Sequence, residues 1–336
     1  MTPVPSVFII AEAGVNHNGD LVLAKRLVEA AKRAGADAVK FQTFQADQLV
    51  TPKASKANYQ IENTSQGSQY EMLKKLELDG VAHQALIEHC RLLDIQFLSA
   101  PFDIPSIALL DRLKVSMYKI PSGEITDLPY LRAMASYQKN IILSTGMSTL
   151  FEVKSALEAL IKAGQPEEKI SLLHCTTEYP APFEEVNLRA MLTLKQAFGL
   201  PVGYSDHTRG VAISIAAVAL GASIIEKHLT LDKTMEGPDH KASLDPQEFA
   251  EMVQAIRHVE QSLGDGQKVP SASEMKNLLI ARKSLVASRP IEVGEVFSED
   301  NITAKRSGAG LSPMRWDDLM GSRSTRTYRI DEAIIL

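Results

Sequence analysis

Residues 7–230 of this chain alternate, eight times over, between a short run of β-branched and other apolar residues and a helix-like stretch. The runs are VFIIAEAG (7–14), DAVKFQTF (37–44), IQFLSAPF (95–102), SMYKIPSGE (116–124), NIILSTGM (140–147), ISLLHCTTEYP (170–180), PVGYSDHT (201–208) and SIIEKHLT (223–230). Stretches between them, such as LVLAKRLVEAAKRAG and TLFEVKSALEALIKAG, repeat their apolar residues at the spacing of a helix buried on one face. Several end on a glycine, Gly35 and Gly164 among them, as a left-handed C-terminal cap requires. Strands separated by helices pair in parallel. Eight such units in about 260 residues match an α/β fold closed on itself, the TIM (β/α)8 barrel. An open doubly wound sheet is the alternative. It is weakened because no Gly-x-Gly-x-x-Gly turn follows the first run.

The pattern changes after SLGDGQKVPSASEMKN (262–277). The rest has short strands, glycine turns and one short helix, with Ser312 as its cap and Pro313 in its first turn. So few residues bury little core. This predicts a barrel over 1–265, a linker over 266–280 and a small domain over 281–336 that leans on a barrel, its own or a partner's. Residues 46–80 form a long polar connection after the second run. It is either a cover over the barrel mouth or an exposed excursion. With 36 basic and 41 acidic residues the net charge is −5, which argues against nucleic acid or an anionic membrane as a main partner. Two cysteines, Cys90 and Cys175, make no disulfide framework, and Cys90 in HQALIEHCRLL reads as a buried thiol. The opening MTPVPSVFIIAEAG lacks the basic region of a secretory signal. No apolar run approaches the roughly 18 residues of a membrane span. The expected compartment is the cytoplasm.

Polar residues collect where the eight runs end, although a barrel interior calls for Val, Ile and Leu. The ends carry Glu12; Lys40 and Gln42; Ser99; Lys119, Ser122 and Glu124; Ser144 and Thr145; Thr176, Thr177 and Tyr179; Ser205, Asp206 and His207; Glu226, Lys227 and His228. Residues two apart on a strand share a face. Lys40 therefore points with Gln42, Ser205 with His207, and Glu226 with His228. If these face inward, two imidazoles from adjacent strands converge as a candidate metal pair. Few other soft ligands are present, which favours Mn²⁺, Co²⁺, Fe²⁺ or Zn²⁺ with open positions. One strand-end histidine is more often structural; two at equivalent ends reverse that expectation. His17, in a turn, and His174, which packs, are weaker candidates.

Lys40, Lys119, Ser122, Ser144 and Ser205 suit a phosphate cradle of charge and directed hydroxyls. The plainer reading pairs each lysine with Glu12 or Glu124. A third makes Lys40 or Lys119 an imine-forming nucleophile, which leaves the two histidines without a task. Glu12 is placed for a general base or for orienting water, or else pairs with a lysine. Asp239, in MEGPDHKASL, either accepts hydrogen bonds from sugar hydroxyls or caps its own turn.

Taken in order, IAEAGVNHNGD, VKFQTF, SAPFD, YKIPSGE, ILSTGM, HCTTEYPAPFEEVNL, GYSDHT and IIEKHLTLDKTMEGPDHKASL resemble the sialic acid synthase family. RPIEVGEVFSEDNITAKRSGAG resembles that family's C-terminal SAF domain, a β-clip fold similar to type III antifreeze protein. The resemblance implies condensation of phosphoenolpyruvate with an N-acetylated mannose-type sugar, releasing phosphate and a nine-carbon 2-keto acid. The sugar would be N-acetylmannosamine or 2,4-diacetamido-2,4,6-trideoxymannose. The resemblance makes His207 and His228 metal ligands, usually for Mn²⁺, with Co²⁺ or Mg²⁺ as alternatives. It assigns phosphoenolpyruvate to Lys40, Lys119, Ser122, Ser144 and Ser205. It assigns the acceptor to Glu124 and Asp239, with Tyr179 and Gln42 beside them. Glu12 would handle the attacking water, so Glu12, Lys40 and Lys119 form the implied catalytic set. Arg306 would reach the sugar's N-acetyl end from the other subunit of a domain-swapped homodimer. Three positions depart from the family pattern: Ala100 where Thr is frequent, Ser307 where Pro is common and Arg282 where some relatives have an aromatic residue. They bear on the acceptor rather than the chemistry. HCTTEYPAPF and GPDHKASL look closer to N,N′-diacetyllegionaminate synthases than to some N-acetylneuraminate synthases.

Overall fold

The structure, a computed structural model, describes residues 6–64 and 66–335. The first five residues, part of the opening read as lacking a secretory signal, lie outside the described residues. The chain divides into two compact units, Met1–Leu263 and Gly264–Leu336.

The larger unit is a closed parallel barrel of eight strands in sequence order. They are β1 (Phe8–Gly14), β2 (Ala38–Thr43), β3 (Gln96–Pro101), β4 (Met117–Ile120), β5 (Asn140–Ser144), β6 (Ile170–Cys175), β7 (Val202–Asp206) and β8 (Ile224–His228). Each lies inside one of the eight runs, and β1 pairs with β8 to close the ring. Helix Leu21–Arg33 follows β1; Asp20 accepts from the Val22 and Leu23 amides at its start, and Gly35 takes φ 83° just past its end.

Alternation along the strands separates two cores. Ile10, Ala38, Leu98, Ile142, Leu173 and Ile224 fill the lower barrel interior. Residues of the other parity, such as Val39, Phe41, Ile141, Leu172 and Ile225, pack outward against the helices. Gly203 is small by necessity: a Cβ there would lie 2.3 Å from the Ile224 carbonyl oxygen and 2.8 Å from Leu173. Two residues further along, the inward series turns polar. Above Ile10 comes Glu12, above Ala38 comes Lys40, above Ile142 comes Ser144 and above Ile224 comes Glu226. The apolar plug thus serves as the floor of a polar mouth.

The connection after β2 is built rather than bare. It holds helices Ala46–Leu49, Asn58–Asn63 and Gln69–Leu76, the last with a reciprocal cap between Ser68 and Glu71. Met72 and Leu76 anchor it on Val15 and Phe44 in a satellite core.

The outward polar pair at the barrel top is structural. Lys227, wholly buried, lies 2.9 Å from Asp206 Oδ2 and donates to the Thr208 carbonyl at 2.6 Å. Asp206 also accepts from Thr208 and Ser214.

In the smaller unit, β9 (Ser284–Ala287) and β10 (Ile302–Lys305) pair antiparallel. Leu285, Ile291, Phe297, Ile302, Leu319, Tyr328 and Ile334 form its core. Ser312 caps the turn Pro313–Arg315 by accepting from the Met314 amide. The stretch expected as linker contains a helix, Ala272–Ala281, started by a Ser271–Glu274 capping box. None of its residues is buried, so apolar periodicity gave little sign of it.

Lys227→Met strands a buried carboxylate and is expected to lower stability in urea by roughly 3–5 kcal/mol. Asp206→Asn added to Lys227→Met removes that charge while keeping an acceptor for Thr208, and is expected to recover part of the loss. A double variant less stable than Lys227→Met would contradict this account.

Candidate active site

The inward polar residues meet in one cavity of about 210 Å³ at the carboxyl ends of the strands. Closure sets their levels: Glu12 stands beside Lys40 on one side and His228 on the other. Ser205 is level with Cys175 and Glu226. Of the residues singled out from the sequence, Glu12, Lys40, Gln42, Lys119, Ser122, Ser144, Tyr179, Ser205, His207 and His228 all line this cavity.

Its electrostatic centre is Glu226. The carboxylate lies 3.5 Å from Lys40 and 3.1 Å from Lys119, and accepts from Ser205 at 2.9 Å. Burial opposes its charge, but Lys119, Lys40 and Ser205 overcome that and hold its carboxyl far below the usual range. Lys40 also pairs with Glu12 at 2.7 Å. Burial works against its ammonium, yet Glu12 and Glu226 keep it charged to higher pH than a free lysine. For Lys119 burial prevails over Glu226 and lowers the pKa. The pairing expected from sequence is thus met for Lys40 with Glu12. For Lys119 it is corrected: its partner is Glu226, not Glu12 or Glu124.

Hydroxyls and amides complete the cradle. Ser122 Oγ accepts from the Gly146 amide at 3.0 Å and lies 3.3 Å from Cys175 Sγ. Ser144 Oγ is buried without a hydrogen-bond partner among the described residues, as is Thr177 Oγ1. Buried groups of this kind are costly unless something pairs with them. Two ammonium groups and a set of serine hydroxyls, one of them unpaired, suit an anionic oxygen-rich ligand.

The two imidazoles come from adjacent strands, with ring centroids 5.5 Å apart. His207 Nδ1 lies 2.6 Å from the Thr176 carbonyl, which only accepts, so the proton sits on Nδ1 and Nε2 keeps its lone pair. Burial lowers the pKa of His207 to about 4 and that of His228 well below the ordinary value. Both rings are therefore neutral. His228 Nδ1 is buried without a hydrogen-bond partner among the described residues, 3.8 Å from Asp239 Oδ2. Among the described residues no group of three His, Cys, Asp or Glu side chains is placed to hold a metal ion. The chain's own donor set is thus two neutral imidazoles. It fits a divalent ion whose other positions go to water and substrate oxygens.

A second cavity of about 300 Å³ shares Gln42, Phe102, Thr177 and Tyr179 with the first. It holds Glu124 and Asp239, and the connection after β2 supplies Tyr59, Gln60, Gln69 and Leu73. That connection therefore covers the mouth. Tyr59 packs on Tyr179 at 5.1 Å, and Tyr179 on His207 at 4.2 Å. Burial raises Asp239 to about 7, with the charge of Glu12 adding to it. Burial, with Asp127, raises Glu124 to about 7.

Other positions fall elsewhere. Ser99 has outward parity and bonds Thr43 and the Phe41 carbonyl. His17 accepts from the Gly19 amide in its turn, and His174 bonds the Val186 carbonyl. Arg306 stands exposed just past β10 in the smaller unit. Cys90 is a buried helical thiol. From the sequence, Glu226 stands only as a strand-end neighbour of His228 and Cys175 only as a cysteine, Thr177 only as a strand-end hydroxyl, and Tyr59 not at all. Parity points to the first two, since Glu226 alternates with His228 and Cys175 with Leu173. Tyr59 carries no such signal.

The NeuB family matches residues 27–268, and the SAF domain matches residues 282–334. The chain is 57% identical to the N,N′-diacetyllegionaminic acid synthase of Campylobacter jejuni, over 97% of this chain and 98% of that one. Its identity to the Legionella pneumophila protein of the same name is 49%, over 94% and 90% of the two chains. Among solved structures, the N-acetylneuraminic acid synthetase of Leptospira borgpetersenii superposes with a TM-score of 0.71 at 36% identity. It covers 81% of this chain and 90% of that one.

Glu124 yields a pH prediction. Its folded pKa lies above its ordinary value, so between about 4.5 and 7 the folded chain holds a proton that the unfolded chain has released. Stability from this group is complete below that window and is lost as pH rises through it. Urea melts at pH 4.5 and 8 are expected to show wild type losing stability relative to Glu124→Gln. Parallel losses in the two proteins would contradict it.

Proposed function

The chain belongs to the NeuB family, and from that premise we propose that it condenses phosphoenolpyruvate with a 2-acetamido aldose of mannose type. Water is consumed, and a nine-carbon 2-keto acid and phosphate are released. The acceptor is 2,4-diacetamido-2,4,6-trideoxymannose, giving N,N′-diacetyllegionaminate; the names of the two similar synthases support this choice over N-acetylmannosamine. The observation carrying the proposal is the pairing of Lys40 and Lys119 with two neutral imidazoles in one cavity that continues into a second, carboxyl-bearing one.

The chemistry needs three things from the protein. Phosphoenolpyruvate carries a carboxylate and a phosphate; Lys40, Lys119, Ser122, Ser144 and Ser205 bind them and stabilise charge growing on the departing phosphate. Gln42, Glu124, Tyr179 and Asp239 orient the acceptor so that its aldehyde carbon faces carbon 3 of phosphoenolpyruvate. Attack leaves carbon 2 electron-poor, and Glu12 orients the water that adds there. The resulting tetrahedral carbon expels phosphate with cleavage of its C–O bond. His207 and His228 would hold a divalent ion, Mn²⁺ by this reading, which would supply electrophilic activation of the aldehyde. Lys40, held as an ammonium by two carboxylates, is poorly suited to the imine chemistry of a metal-free aldolase, and an imine on Lys119 would leave the two imidazoles without a task. The proposal extends to a homodimer in which Arg306 of one subunit serves the acceptor site of the other.

Purified protein with Mn²⁺, phosphoenolpyruvate and the diacetamido sugar is expected to release phosphate and form keto acid in equal amounts, and to stop on addition of EDTA. Lys119→Met is expected to lower kcat/KM by roughly 10²–10³. Absence of phosphate with either acceptor would end the proposal. Arg306→Ala and Lys119→Met, each nearly inactive alone, are expected to recover about a quarter of wild-type activity when co-expressed, since half of random dimers keep one intact site. No recovery would place Arg306 outside a shared site.

A further inference from the structure

The cavity holding Glu124 and Asp239 is unevenly lined. Leu49, Leu73 and Phe102, half-buried, line it together with the buried Phe44, Met72 and Leu76 of the satellite core. On the same connection one amide oxygen that lines the cavity is already engaged. Gln60 Oε1 accepts from the Ala57 amide at 3.0 Å and from Gln69 Nε2 at 3.5 Å. Hydroxyls set against this wall would lose water without gaining partners, a cost that a methyl group avoids.

The cavity also has a direction. Its share with the anion cavity runs through Gln42, Phe102, Thr177 and Tyr179, and Asp239 lies 3.8 Å from His228. An acceptor with its aldehyde at the imidazoles extends carbons 4 to 6 away from them, into the space that Leu49 and Leu73 line. There the two candidate acceptors differ. N-acetylmannosamine has hydroxyls on carbons 4 and 6; the diacetamido sugar has an acetamide on carbon 4 and a bare methyl at carbon 6.

We infer that Leu49 and Leu73 form an apolar wall that selects the acceptor by its deoxy methyl and its second acetyl group. The inference rests on the condensation proposed above and adds to it the residues that set preference. It also gives the connection 46–76 a purpose beyond covering the mouth, since Leu49 and Leu73 both belong to it.

The test compares kcat/KM for 2,4-diacetamido-2,4,6-trideoxymannose and N-acetylmannosamine at saturating phosphoenolpyruvate and Mn²⁺. One misplaced methyl in an apolar pocket is worth about tenfold or more. Wild type is expected to prefer the diacetamido sugar by at least that factor. Leu73→Asn is expected to cut the preference about tenfold, because the methyl would bury the new amide unpaired while N-acetylmannosamine offers it a partner. Leu73→Met should restore the preference. If Leu73→Asn melts below the assay temperature, Leu73→Thr takes its place in the same ratio. A fall by one common factor for both sugars, or a wild type without preference for the diacetamido sugar, would overturn the inference and leave the condensation standing. No phosphate from wild type with either sugar would instead overturn the condensation itself.

Discussion

The buried carboxylate of Glu226, between Lys40 and Lys119, is the interaction on which the site depends. Four charges, those of Glu12, Lys40, Lys119 and Glu226, are tenable in a cavity almost closed to water only when paired. Barrel closure supplies the pairing, bringing β8 within reach of both β2 and β4. The reward is preorganisation. Two ammonium groups are already in place, and Lys40 is kept charged, before any anion arrives. The same closure brings Glu12 beside Lys40 and His228.

A strand period of two carries the architecture from core to site. Along each strand the inward residue changes from apolar to polar: Ile10 to Glu12, Ala38 to Lys40, Ile142 to Ser144, Ile224 to Glu226. The lower layer packs as a plug, and the upper layer becomes the mouth. The outward parity has its own polar pair, Lys227 with Asp206, which locks β7 to β8 and takes no part in the cavity. Adjacent residues on one strand thus serve stability and chemistry separately.

Much of this was legible in the sequence because strand alternation is local. Eight runs marked eight strands, and shared parity foretold the meeting of His207 with His228. Residue type alone misled at Ser99, which has the wrong parity. It also leaves Glu226 without a role beyond its shared face with His228, because its importance comes from two lysines far away in the chain. Tyr59 and Leu73 were beyond reach for another reason. They sit in an insertion whose fold is set by docking on Val15 and Phe44, and no local repeat announces that. The helix Ala272–Ala281 escaped for want of a buried stripe. Arg306 lies in the separate smaller unit, where neither periodicity nor the barrel's parity speaks to its role.

In the proposed function an anion and a divalent ion share the barrel mouth, the first on Lys40 and Lys119, the second on His207 and His228. Anomalous diffraction from crystals grown with Mn²⁺ and phosphoenolpyruvate is the most direct test. A manganese peak within bonding distance of both imidazoles is expected, with a phosphoenolpyruvate molecule against both lysines. A peak elsewhere, or the ester bound away from the lysines, would contradict it.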